Sequence, residues 1–159
     1  MRPFRRRKEK KTDYKARLAM LKSSMPRLVV RRYNRNIRIQ IIDYDPVGDK
    51  TLIEVNSSKI EGLKCHPGNI SSAYLAGYYA GMLALKKNLS QAILDIGLQT
   101  STKGSSIFAA AKGAADAGLE IAIGEGIVPN EDRIKGSHIN QDAVKNFEES
   151  FAKIKNMKL

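Results

Sequence analysis

Ile37-Arg38-Ile39-Gln40-Ile41-Ile42-Asp43 alternates apolar and polar residues with a period of two, the pattern of a strand with one buried face. Successive strand side chains point to opposite sides, so Ile37, Ile39 and Ile41 are expected on one face. Upstream, Arg27-Leu28-Val29-Val30-Arg31-Arg32-Tyr33 is β-branched and apolar at its centre and reads as a second strand. Asn34-Arg35-Asn36 between them supplies residues that tolerate positive φ, which predicts a tight hairpin. Downstream, Asp45-Pro46-Val47-Gly48-Asp49 reads as a turn and Thr51-Leu52-Ile53-Glu54-Val55 as a third strand. Together these segments predict an antiparallel meander.

After Pro67-Gly68-Asn69 the apolar period becomes helical. A helix is expected from an N-cap at Ser71 or Ser72 to about Lys87, with Asn88 as its stop. Its small residues, Ala73, Gly77, Ala80, Gly81 and Ala84, predict close packing on the sheet. Ala92–Ile96 reads as a fourth strand and Gly97–Gly104 as a polar loop. A second helix is expected over Ser105–Ala117, stopped by Gly118, and a fifth strand over Leu119–Ile123. A third helix over Gln141–Lys155 would place Ala143, Phe147, Phe151 and Ile154 on one stripe. The expected order is βββαβαβ, an α/β fold with a mixed sheet, and its strand–helix–strand step implies a right-handed crossover. Residues 1–26 read as a basic extension, and residues 27–159 as a single α/β domain that includes the C-terminal helix.

Charge is distributed unevenly. The 159 residues carry 28 Lys/Arg and 16 Asp/Glu, a net of +12. Residues 1–38 hold 15 of the cations against Glu9 and Asp13, a net of +13, which leaves −1 for the rest. A nearly neutral body with a polycationic leader points to a polyanionic partner, nucleic acid or an anionic membrane. The run Arg5-Arg6-Arg7-Lys8-Glu9-Lys10-Lys11 repels itself when free and is expected to order on that partner. Tyr14, Leu18 and Leu21 could share one face of a short helix, with Arg17 and Lys22 exposed. No apolar run follows the charged start, so no secretory signal is expected. The most apolar stretch, Ile70–Leu85, contains three tyrosines and is too short for a bilayer. The single Cys65 excludes an internal disulfide and fits a reducing compartment, with the cytoplasm as the default.

Catalytic constellations are weak. The strand order shares its start with ribonuclease H-like enzymes, whose metal chemistry needs several converging carboxylates. The first strand and first helix carry no acid, and Asp95 stands alone on the fourth strand. Cys65-His66 lie side by side in a loop with no second Cys, and His138 is distant, so a zinc site is not expected. Gly124-Glu125-Gly126 lacks the third glycine of a dinucleotide fingerprint. Gln99–Ser105 resembles a phosphate loop in composition only; it reads either as a capped helix start or as a phosphate contact aided by Lys103. Arg31, Arg32, Arg35 and Arg38 around Tyr33 form a better constellation, because guanidinium groups bind phosphates and stack on bases.

Several motifs then carry a resemblance: Arg27-Leu28-Val29-Val30-Arg31 with Asn34; Ser72-Ala73-Tyr74-Leu75-Ala76-Gly77; Leu94-Asp95-Ile96-Gly97-Leu98; Ser105–Phe108 with Gly113–Gly118; and Arg133-Ile134-Lys135-Gly136-Ser137-His138-Ile139. Over nearly its whole length the chain resembles the archaeal and eukaryotic branch of the ribosomal protein L-eighteen family. The resemblance implies a mixed α/β fold and a non-enzymatic protein of the cytoplasmic large ribosomal subunit, without cofactor or metal. It implies binding to 5S rRNA and to large-subunit rRNA in the central protuberance, with neighbouring large-subunit proteins as partners and neither membrane nor DNA. RNA contact is carried onto Arg5, Arg6, Arg7, Lys10, Lys11, Arg17, Arg31, Arg32, Asn34, Arg35 and Lys103, with Arg133 and His138 added from the last motif. Longer eukaryotic relatives carry a further C-terminal extension, and its contacts do not transfer here.

Overall fold

The computed structural model describes residues 3–124 and 126–157. Met1 and Arg2 of the basic extension, Glu125 of the glycine pair segment, and Lys158 and Leu159 lie outside the described residues. The elements are α1 (Arg5–Lys8), α2 (Tyr14–Leu21), β1 (Arg27–Arg32), β2 (Ile37–Asp43), β3 (Lys50–Asn56), α3 (Ile70–Lys86), β4 (Ile93–Asp95), α4 (Ser106–Asp116), α5 (Glu131–Lys135) and α6 (Gln141–Asn156).

Among the described residues the sheet has four strands in the order β3-β2-β1-β4. β1 pairs antiparallel with β2 and parallel with β4, so the sheet is mixed as expected. Ile37, Ile39 and Ile41 are fully buried and face Leu28 and Val30 of β1. β1 and β2 are both interior strands; β1 is buried along Arg27–Val30, while β2 alternates buried and half-buried residues up to Ile42. α3 lies against β2 and β3, and α4 against β1, covering one face of the sheet.

Four expectations are corrected. Leu119–Ile123 is not a full strand: it makes one parallel bridge, Gln91 to Glu120. β4 is only three residues long and leaves the sheet at Gly97 with φ +64°, so its free edge offers little ladder. The hairpin loop is closed by Tyr33 N–H donating to the Asn36 carbonyl at 2.9 Å, and neither asparagine needs positive φ. Gly77 and Gly81 face α4 rather than the sheet: a Cβ on Gly77 would lie 1.9 Å from the Ala110 carbonyl oxygen. Gly113 of α4 meets the Tyr74 carbonyl in the same way, at 2.1 Å, so the two helices touch backbone to backbone. Finally, α5 was hidden in sequence because it is a single short turn. The expected stops do occur at Asn88, with φ +59°, and Gly118, with φ +108°.

Candidate nucleic-acid interface

Strand parity decides where the basic residues point. Arg27, Val29 and Arg31 share the sheet face opposite the helices, and the parallel register sets Asp95 of β4 beside Val29 on that face. Asp95 therefore sits between two guanidiniums: Arg27 Nη1 donates to its Oδ2 and Arg31 Nη2 to its Oδ1, both at 3.0 Å. Arg27 also donates to Asp49 Oδ2 at 2.6 Å, and Asp49 accepts from Arg17 of the arm at 2.7 Å. Five charged residues thus run Arg17–Asp49–Arg27–Asp95–Arg31, with two carboxylates between three cations. Arg27 and Asp95 are each about 94% buried at the side chain (6% exposed), where an ion pair must be well hydrogen-bonded to offset desolvation.

This chain of ion pairs fastens the arm to the sheet. Asp13 caps α2 by accepting from the Lys15 and Ala16 N–H groups at 2.9 and 3.1 Å. Arg17 is not free as expected from sequence, since α2 turns it toward Asp49. Leu18 is 58% exposed, and Tyr14 instead packs on Phe4 with ring centroids 5.1 Å apart. At the end of α1, Arg5 and Lys11 both pair with Glu9, and those hydrogen bonds hold its carboxyl below the usual carboxylate range. Arg6 Nε donates to Thr12 Oγ1 at 2.8 Å. Arg6, Lys11, Arg17, Arg27 and Arg31 line one cleft of about 290 Å³ between the arm and β1. Arg7 and Lys10 line an adjoining recess with Lys15 and Leu98.

The four hairpin arginines do not form one patch. Arg31 and Arg38 are direct cross-strand partners on the arm face, like charges that would repel. Asp95 neutralises the first, and Glu54 lies 3.6 Å from the second, which also sits over the Tyr33 ring. Arg31 has three hydrogen bonds committed inside the fold, two of them to carbonyls of Val30 and Asp95. Arg32 points to the opposite, helix-bearing face. Its backbone is held by the Gln99 side chain, which accepts from Arg32 N–H and donates to its carbonyl. There Arg32 lines a second groove with Arg133 and His138. Asn34 and Arg35 are exposed at the hairpin tip and Lys103 in its loop, and none of these three lines either groove.

Arg27, Asp49 and Asp95 are the site residues that sequence reasoning missed. Arg27 and Arg31 flank Val29 with strand spacing, but only the β1–β4 register puts Asp95 between them. The loop pair Cys65-His66 forms no nucleophile–base couple: His66 Nδ1 accepts from Gly68 N–H, and burial pushes the Cys65 thiol up. Among the described residues no helix is long and apolar enough to cross a membrane.

Known proteins resemble this chain along most of its length. The family described as ribosomal large subunit proteins 60S L5 and 50S L18 matches residues 2–92 and 86–123. The large ribosomal subunit protein uL18 of Methanoregula boonei is 47% identical over 160 residues, covering 96% of this chain and 92% of that protein. Its namesake in Methanobrevibacter smithii is 46% identical over 154 residues, covering 96% and 80%. The one in Methanococcus maripaludis is 45% identical over 150 residues, covering 93% and 75%.

Proposed function

The chain belongs to the ribosomal large-subunit family of 60S L5 and 50S L18, and from that premise we propose that it binds 5S rRNA and helps to attach it to large-subunit rRNA in the central protuberance. It is a structural, non-enzymatic constituent of the large ribosomal subunit, working within the cytoplasmic ribosome among rRNA and other ribosomal proteins.

The observation that carries the finer reading is the convergence of arm and β1 cations on one cleft. Arg6 and Lys11 at its rim can meet phosphates without reading a base sequence, which suits a folded RNA recognised by shape, while Asp49 and Asp95 hold Arg17, Arg27 and Arg31 in place behind them. Arg5, Arg6, Arg7, Lys10, Lys11, Arg35 and Lys103, with Asn34 at the hairpin tip, are the exposed contacts; Arg17 and Arg31 anchor the arm and add charge to the cleft. A second cationic groove on the other face of β1, at Arg32, supports a protein that touches two RNA segments at once. Bridging needs two such surfaces.

The test is recovery of RNA from total ribosomal RNA by the full chain. Selective enrichment of 5S rRNA is the expected result; equal recovery of all species would overturn the 5S assignment while leaving the family membership intact.

A further inference from the structure

Two helices begin at the rim of one groove. The first turns of α3 and α4 line a recess of about 260 Å³ together with Arg32, Arg133 and His138. Gly68 sets this geometry, since the loop before α3 backs onto the hairpin so closely that a Cβ there would lie 3.1 Å from the Asn34 carbonyl oxygen. The Ser57 hydroxyl clamps the same junction, accepting from Ile37 N–H and donating to the Pro67 carbonyl.

Helix starts carry N–H groups with no partner inside the helix and a positive partial charge. Side chains close two of the other helices, Asp13 capping α2 and Asn140 capping α6, while the short α1 and α5 have no such cap. Asn69 and Ser105 are residue types that cap well, yet neither side chain bonds its own helix. A separate demand is also unmet. Ser106 lines the groove and is only 5% exposed, and its Oγ, like that of Ser105, is buried without a hydrogen-bond partner. Buried polar atoms are almost always paired, so an orphan beside two open helix starts marks a missing acceptor. Among the described residues that line the groove there is no carboxylate.

We propose that this groove is a phosphate site that holds one backbone phosphodiester of ribosomal RNA. Its non-bridging oxygens accept from the first-turn N–H groups of α3 and α4 and from the Ser106 hydroxyl, with Arg32 and Arg133 balancing the charge and His138 adding a ring N–H donor. The assignment rests on the RNA-binding reading above and adds a defined contact on the helix-bearing face.

Two variants of the full chain test it. Ser106→Asp places a carboxylate in the first turn of α4, where it favours the helix but repels phosphate. Arg133→Gln combined with His138→Gln alters only exposed side chains and keeps the test alive should the first variant fold poorly. Affinity is measured for 5S rRNA and for large-subunit rRNA across a salt series. Each variant should weaken binding to at least one RNA about fivefold or more, and loss of Arg133 should flatten the log–log salt slope by about 0.7–0.9, one phosphate's worth. Unchanged affinity of both variants for both RNAs, with the parent chain binding, would overturn the groove and spare the proposed function. Failure of the parent chain to bind either RNA would instead overturn the proposed function and the groove with it.

Discussion

Gly77 and Gly113 stand where two helix backbones touch, and there any side chain must displace a carbonyl. Gly77→Ala should cost about 1–3 kcal/mol, the usual range for overpacking, read as a lower urea midpoint with an unchanged slope. Gly48, with open space around its Cβ position, should tolerate the same change. Tyr74 on the neighbouring turn of α3 is half-buried and donates to Asp116 Oδ2 at 2.9 Å. Burial first, and then that hydrogen bond, push its phenol above the ordinary value of 10.0. The neutral form is favoured when folded, so the unfolded chain ionises first as pH rises. Tyr74 thus contributes stability that is whole below pH 10 and is lost above it. Urea midpoints measured from pH 8 to 11 should show less alkaline decline in Tyr74→Phe than in the parent. These glycines and this tyrosine were visible as residue types, but not the partners that give them their roles.

At the scale of elements, the arm and the β1–β4 pair are joined by carboxylates. Asp49→Asn removes the negative charge shared by Arg17 and Arg27. The expected outcome is faster trypsin cleavage between residues 5 and 22 with a moderate fall in the melting temperature of the body, since buried Arg27 loses a charged partner too; equal cleavage would show that α2 is held by other contacts. Asp95→Asn should cost more, because Asp95 is 6% exposed against 23% for Asp49, so the deeper of Arg27's two pairs is broken. Breaking a buried pair typically costs several kcal/mol, and with Asp49 retained a loss of about 3 kcal/mol is expected in a denaturant titration. β1 and β2 were legible to within a residue, since β-branched runs and period-two alternation are local signals. The extent of a fifth strand was not. Leu119–Ile123 has strand composition, but its one rung, Glu120 with Gln91, falls before the three-residue β4 begins.

For the whole molecule, the uneven charge makes association strongly dependent on salt. Residues 1–22 carry ten Lys/Arg, and each phosphate neutralised adds about 0.7–0.9 to the log–log slope of affinity against salt. Deleting residues 1–22 should therefore weaken RNA binding by orders of magnitude at low salt and flatten the slope by several units. Circular dichroism of the deleted protein should still report the α/β body, because β1 retains its Asp49 and Asp95 partners. Undiminished affinity would remove the arm from the interface.

The amino-acid sequence by itself determined the α/β class, the buried face of β2, the helix stops, the polycationic leader and, through its motifs, the family. These properties depend on neighbours within a few residues, or on counts that no fold can alter. Only the tertiary structure decided which arginines are spent inside the fold and which remain exposed. Arg31 and Arg32 are adjacent in the chain, yet they reach opposite faces of one strand, the first toward Asp95 and the second toward the starts of α3 and α4. Pairing across 64 residues, the separation of Arg31 from Asp95, depends on strand register. Register follows from how the whole core packs, not from the residues that flank either strand.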